Sequence, residues 1–187
     1  MSNVDFKVSV EIDGQKLNIA YSINNKSEED IFIFDVIWRP SESGIPELDP
    51  NEAYISLGKD GLLRIGKIVH PTPREKFVEM TIVPFVHRVA KKEKYDGIIV
   101  LSMPVQEYNP YYPADQETEW EDAVATSLEF LLNWVVDSDE MRVDESPVGN
   151  GLRVTHPKLL GILESFRSEK FFVNVAVKKR IDKFERF

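Results

Sequence analysis

The sequence predicts a mainly β chain: an antiparallel β-sandwich of immunoglobulin-like type, with one or two short helices in the C-terminal half, formed as a single domain over residues 1–187. Three observations carry this expectation. Apolar and polar residues alternate with period two through several short runs, the pattern of strands with one buried face. Two Asp-Gly pairs, Asp13-Gly14 and Asp60-Gly61, separate such runs and suit the positive backbone angles of a tight hairpin turn. The strand–helix alternation of a doubly wound α/β chain is missing, and no glycine-rich phosphate loop follows any run.

Val4, Phe6, Val8, Val10 and Ile12 alternate with polar residues, and after Asp13-Gly14 the pattern returns in Leu17, Ile19, Tyr21 and Ile23, so the two runs should pair as a hairpin. Ile31 to Trp38 is too continuously apolar for a half-solvated strand and reads as a central one, closed by Arg39-Pro40. Residues 39–52 are rich in Pro, Ser, Glu and Gly and read as loop. Asp60-Gly61 joins Ala53–Leu57 to Leu62–Val69 in a second hairpin. Phe77 to Val89 is again strand-like, with Pro84 marking an edge or a bulge. A basic turn at Lys91, Lys92 and Lys94 leads into a strand from Tyr95 to Met103. Two prolines then make 107–113 an aromatic loop.

The run from Thr118 to Val136 fits two templates. A capping box, Thr118-x-x-Glu121, and an apolar face including Trp120, Val124, Leu128 and Leu131 suit a helix; Val124, Leu128, Phe130, Leu132, Trp134 and Val136 suit a strand. Because the other elements are strands, a helical turn at 118–123 leading into a strand at 124–136 is expected. Residues 137–157 read as a long polar loop, 157–166 as a short helix, and Phe171, Val173, Val175 and Val177 as a last strand before a basic tail, 178–186.

With 42% apolar, 11% aromatic and 29% charged residues, the composition is that of a folded globular chain, long enough to bury a core without disulfides, which the lack of cysteine forbids. Residues 1–10 show no basic and apolar leader, so the cytoplasm is the expected compartment. The net charge is −9. The stretch from Glu107 to Glu145 holds twelve acidic residues and one basic residue, Arg142, a local charge of −11, while the remainder carries 22 basic and 20 acidic groups. That balance argues against binding to nucleic acid or an anionic membrane.

No cofactor motif is present. The three histidines, His70, His87 and His156, lack metal-ligand spacing, and no G-x-S-x-G elbow accompanies them, so neither a metal centre nor a catalytic residue is expected. His87, in phase with Phe85 and Val83, reads as a hydrogen-bonded structural histidine. The acids near 115–122 do not follow calcium-loop spacing.

The candidate binding site is instead the aromatic and acidic run Tyr108, Tyr111, Tyr112, Asp115, Glu117, Glu119, Trp120, Glu121 and Asp122. Tyrosine and tryptophan anchors beside carboxylates grip Lys and Arg side chains by cation–π contact and ion pairing, and Pro110 and Pro113 preorganise the loop. The expected function is non-enzymatic binding of a basic protein partner, of inhibitor or immunity type. The alternatives are a carbohydrate or small-ligand site and, more weakly, a carboxylate-based hydrolase. The competing reading is that the tyrosines plug the end of the sandwich and the acids serve solubility. A second acidic group, Asp137, Asp139, Glu140, Asp144 and Glu145, would extend the field. The basic tail suits an acidic patch, its own or a neighbour's in a homodimer.

Overall fold

The computed structural model describes residues 3–39, 47–73, 78, 81–146 and 151–181. Fifteen strands and one helical turn follow in chain order: β1 (Val4–Asp13), β2 (Lys16–Asn25), β3 (Ile31–Val36), β4 (Trp38–Arg39), β5 (Glu47–Leu48), β6 (Tyr54–Leu57), β7 (Leu62–Lys67), β8 (Phe85–Val89), β9 (Lys94–Ser102), β10 (Val105–Gln106), β11 (Trp120–Val136), β12 (Arg142–Glu145), β13 (Leu152–Thr155), α1 (Leu159–Ile162), β14 (Glu164–Arg167) and β15 (Phe171–Arg180). The chain is mainly β, as its periodicity predicts.

Both Asp-Gly hairpins form. Gly14 and Gly61 take φ of +57° and +75°, angles that a side chain resists. The first hairpin pairs Val4–Asp13 with Lys16–Asn25, and β9 completes a three-stranded antiparallel sheet in the order β1-β2-β9. The second hairpin, β6–β7, belongs to a ten-stranded sheet whose main path runs β10-β15-β11-β3-β8-β13-β12. Leu17, Ile19, Tyr21, Ile23 and Ile99 of the small sheet pack into one cluster with Ile31, Ile33, Phe130, Leu132, Trp134, Val175 and Val177 of the large one. Burial of this cluster is the main driving force joining the two sheets.

β3 lies between β11 and β8, and both of its faces are covered. Ile31 and Ile33 face the small sheet, whereas Phe32 and Phe34 join Val86, Val135 and Val154 in a second cluster on the opposite side. Two buried faces explain why this strand reads as a continuous apolar run.

Some expectations fail in instructive ways. Residues 118–123 form no helical turn: β11 begins at Trp120, and Trp120, Glu121 and Asp122 pair with Arg180, Lys179 and Lys178 of β15. Ladder hydrogen bonds and cross-strand charge pairs outweigh a local capping signal. Thr118 instead closes a turn with Asp115. The β11–β15 register slips between Ala125 and Ser127, so Ala125 and Leu128 are buried while Val124 faces solvent. Residues 142–155 are not all loop, because β12 and β13 pair there. The strand ending at Val89 starts only at Phe85, directly after Pro84, which lacks a donor for the ladder; residues 74–77 and 79–80 lie outside the described set. The basic tail's first three residues complete β15, and residues 182–187 are outside the described set. Leu159–Ile162 supplies a single helical turn within the expected 157–166 segment.

Gly97 of β9 stands opposite Tyr21 of β2, and a Cβ there would lie 2.2 Å from the Tyr21 ring. The ring cannot retreat freely, because its hydroxyl is tied down at the far end. Gly97→Ala should therefore cost about 1–3 kcal/mol by overpacking. Gly161→Ala, where nothing lies within 4 Å, is the control and should not destabilise. Urea denaturation of both variants checks the pair.

Candidate functional site

A cavity of about 300 Å³ opens at the edge where the two sheets meet, lined by residues of β2, β3, β7, β8 and β9, by Leu48–Pro50 and by Gly151. Its chemistry centres on Asp35, the single charged residue in the apolar run of β3. Plain alternation puts Asp35 on the same face as Ile33, toward the small sheet. The β3–β8 register is irregular between Ile33 and Val36, a bulge of the kind that re-aims a side chain.

Asp35 is 3% exposed. The Tyr21 hydroxyl donates to its Oδ2 at 3.0 Å. His87 Nδ1 lies 2.7 Å from its Oδ1. An ionised carboxylate only accepts, so that nitrogen carries the proton and donates. The Tyr95 hydroxyl sits 3.1 Å from the same nitrogen. A buried carboxylate is thus satisfied by side chains from β2 and β8, which removes most of the cost of its desolvation. The His87 and Tyr95 rings lie 5.3 Å apart, and the Tyr21 ring is 5.2 Å from Phe130.

Lys67, at the end of β7, is 2% exposed, and its ammonium donates at 2.7 Å to the carbonyls of both Asp35 and Pro50. Burial lowers its pKa, and the nearby Asp35, Asp49 and Glu52 oppose that shift. The amine therefore fastens the loop before β6 to the Asp35 backbone. Burial, reinforced by Asp35, holds the Tyr21 and Tyr95 phenols far above their usual range, so both stay protonated donors.

The result is an oriented imidazole. Its Nδ1 is committed to Asp35, its side chain is 37% exposed, and its Nε2 has no protein partner among the described residues. Fixing one nitrogen of a histidine fixes the role of the other: in the neutral ring with Nδ1 protonated, Nε2 is an acceptor. No Ser or Thr among the described residues lines the cavity to act as a nucleophile beside it. Among the described residues, no group of three or more His, Cys, Asp and Glu converges to hold a metal ion.

The aromatic and acidic run lies elsewhere, and its members are largely engaged within the chain. Tyr111 is 5% exposed, accepts the Ile82 N–H at 3.0 Å on its hydroxyl and meets the His70 ring edge-on. Tyr108 pairs its backbone with Ile55, and the Arg39 guanidinium lies 4.3 Å above its ring. The Tyr112 carbonyl accepts from Arg180 Nη1, and the Arg180 guanidinium lies 6.0 Å from the Trp120 ring. Glu121 pairs with Lys179 at 2.5 Å and Asp122 with Lys178 at 2.7 Å. Asp115 accepts from the Thr118 hydroxyl and the Glu117 N–H, which hold its carboxyl below the usual range. Glu117 and Glu119 are exposed. The chain's own cations thus occupy much of the surface that the sequence offers to a basic partner. In the second acidic group, Asp137 and Asp139 line a surface depression with Glu28, Glu29, Asp30, Arg88 and Lys91, and Asp144 and Glu145 lie on exposed β12.

Sequence reasoning assigns His87 a hydrogen-bonded structural place, and its Nδ1 does have one; the open Nε2 escapes it. Tyr21, Asp35, Lys67 and Tyr95 escape it entirely. The available signal was a lone Asp within Ile31–Ile37 and a lone Lys before Ile68-Val69, each a charge inside an apolar run. Comparison with protein-family models, with curated proteins and with solved structures finds no match to this chain.

The raised Tyr21 pKa has a consequence for stability. The unfolded chain releases this proton near the ordinary value of 10.0, and the folded chain keeps it, so the stabilisation is complete below that pH and is lost above it. Between about pH 9 and about pH 11, wild type should lose about 1.4 kcal/mol more stability than Tyr21→Phe. Urea denaturation at the two pH values measures the difference; equal losses would show that the folded chain does not retain the proton.

Proposed function

We propose that the chain works by binding, and that its site is the cavity beside His87, which takes a small polar ligand. The carrying observation is the imidazole itself: a buried carboxylate, itself held by Tyr21, and the Tyr95 hydroxyl hold one nitrogen, and the other has no partner among the described residues. Natural cores rarely orient a buried polar network toward a cavity without use for it, since each unsatisfied member is costly. The volume, about 300 Å³, is at the small end of ligand sites, and the lining combines tyrosine and aliphatic walls with a few polar groups. The architecture proposed with it is an immunoglobulin-like sandwich, supported by the shared core between the three-stranded and ten-stranded sheets. Among the described residues, no helix is long and apolar enough to cross a membrane.

The basic-partner reading keeps one supporting observation, the exposed carboxylates of Glu117 and Glu119. It has less geometry behind it, because Glu121 and Asp122 already face Lys179 and Lys178.

Amide and imidazole NMR spectra titrated with small polar probes (methylguanidinium, butylammonium, glucose and acetate) test the site. At least one probe should shift the signals of His87, Gly97 and Ile98 together. Ile98→Trp, at a side chain 55% exposed on the lining, should block that response without unfolding the protein. If no probe moves these signals, or if Ile98→Trp leaves the response intact, the cavity is not the site.

A further inference from the structure

We propose that the ligand carries a guanidinium or alkylammonium head, a reading that rests on the cavity being the binding site. The first argument is the balance of donors and acceptors left for a ligand. The Tyr21 hydroxyl donates to Asp35, the Tyr95 hydroxyl lies 3.1 Å from His87 Nδ1, and the Lys67 ammonium donates to two backbone carbonyls. The side-chain donors of the lining are thus largely spent inside the protein. What remains is acceptors: His87 Nε2 and the carboxylates of Asp49 and Asp96 at the rim. Asp49 has one oxygen on the Asn51 N–H, and Asp96 shares an exposed ion pair with Lys94, an arrangement of little strength that a better-placed cation can displace.

Charge points the same way. Among the described residues, three carboxylates, Asp35, Asp49 and Asp96, line the cavity against one ammonium, Lys67, whose charge is already sealed between carbonyls. Tyr95 and Tyr21 belong to the lining, and phenol rings attract cations and not anions to their faces. A carboxylate or phosphate ligand would meet this field unfavourably, and a neutral polyol would find acceptors but no charge to gain. A planar guanidinium presents several N–H donors at once to a nitrogen acceptor and to rim carboxylates, and so uses all of these features together.

Proton competition follows from the same groups. The charged and titratable side chains around His87 are Asp35, Tyr21 and Tyr95 in contact with it or behind it, and Lys67, Asp49 and Asp96 on the rest of the lining. A proton taken up at Nε2 removes the acceptor and adds a like charge, so a cationic ligand should leave as His87 is protonated.

The decisive comparison is methylguanidinium against methylurea, a neutral molecule of nearly the same shape, with both titrations followed by the His87, Gly97 and Ile98 signals. Methylguanidinium should bind at least about tenfold more tightly, weaken as salt rises, and lose about threefold or more in Asp49→Asn. A pentapeptide, Ac-Gly-Gly-Arg-Gly-Gly-NH2, run beside agmatine separates an arginine side chain from a free small molecule as the source; preference for either supports the cation class. If methylurea binds equally well, or acetate binds better, the class is wrong while the site stands. If no probe perturbs the cavity, the site reading fails and this inference with it.

Discussion

A carboxylate buried between two β-sheets must be given hydrogen bonds or it opposes folding by several kcal/mol. Asp35 is such a group, and the elements around it are placed as its demand requires. Tyr21 reaches it from β2 and His87 from β8, Tyr95 of β9 sits against the same His87 nitrogen, and Lys67 holds the carbonyl of Asp35 from β7. One side chain thus links the small sheet to the large one at a point where apolar packing gives way to a cavity. Gly97 belongs to the same arrangement, since only a residue without Cβ leaves room for the Tyr21 ring to reach the carboxylate. The orientation of His87 follows: it is held by what satisfies Asp35.

The remainder of the fold solves a different problem. β11 is the spine of the large sheet, seventeen residues long, and it pairs in turn with β15, β7, β14 and β3. Its first turn of sequence is acidic, and β15 returns beside it with Lys178, Lys179 and Arg180, so much of the local charge of the 107–122 region is met across the ladder. Glu107, 3% exposed, accepts the N–H of Leu57 and of Arg180 and pins the same end of the sheet. The acidity of this stretch therefore has a folding role in addition to solubility.

The parts of this architecture legible in sequence were those where one local signal decides the outcome. The Asp-Gly turns and the alternation of Phe6, Val8 and Val10 needed no tertiary information, and the two-faced burial of β3 showed in an apolar run broken only by Asp35. Where local and tertiary signals competed, the local one misled: the capping box at Thr118 yielded to pairing with β15. The β12–β13 hairpin was invisible because Arg142, Val143, Asp144 and Glu145 are all exposed and have no buried face to imprint a period. Among the candidate site residues, aromatic content alone did not separate Tyr111, which is core, from Glu117 and Glu119, which are surface. The cavity assembles from positions as far apart as Tyr21, Asp35, Lys67, His87 and Tyr95. A single sequence shows Asp35 and Lys67 as charges beside apolar residues and the others as ordinary strand positions, and carries no sign that they converge.

The most direct test of this account is the tautomer of His87, read from the two imidazole nitrogens by long-range 1H–15N NMR. The central claim, that Asp35 holds Nδ1–H and leaves Nε2 open, predicts a neutral ring protonated on Nδ1, with that proton shifted downfield by the carboxylate and the assignment lost in Asp35→Asn. A neutral ring protonated on Nε2 would contradict it, because Nδ1 could then donate nothing to Asp35 and Nε2 would no longer be an acceptor.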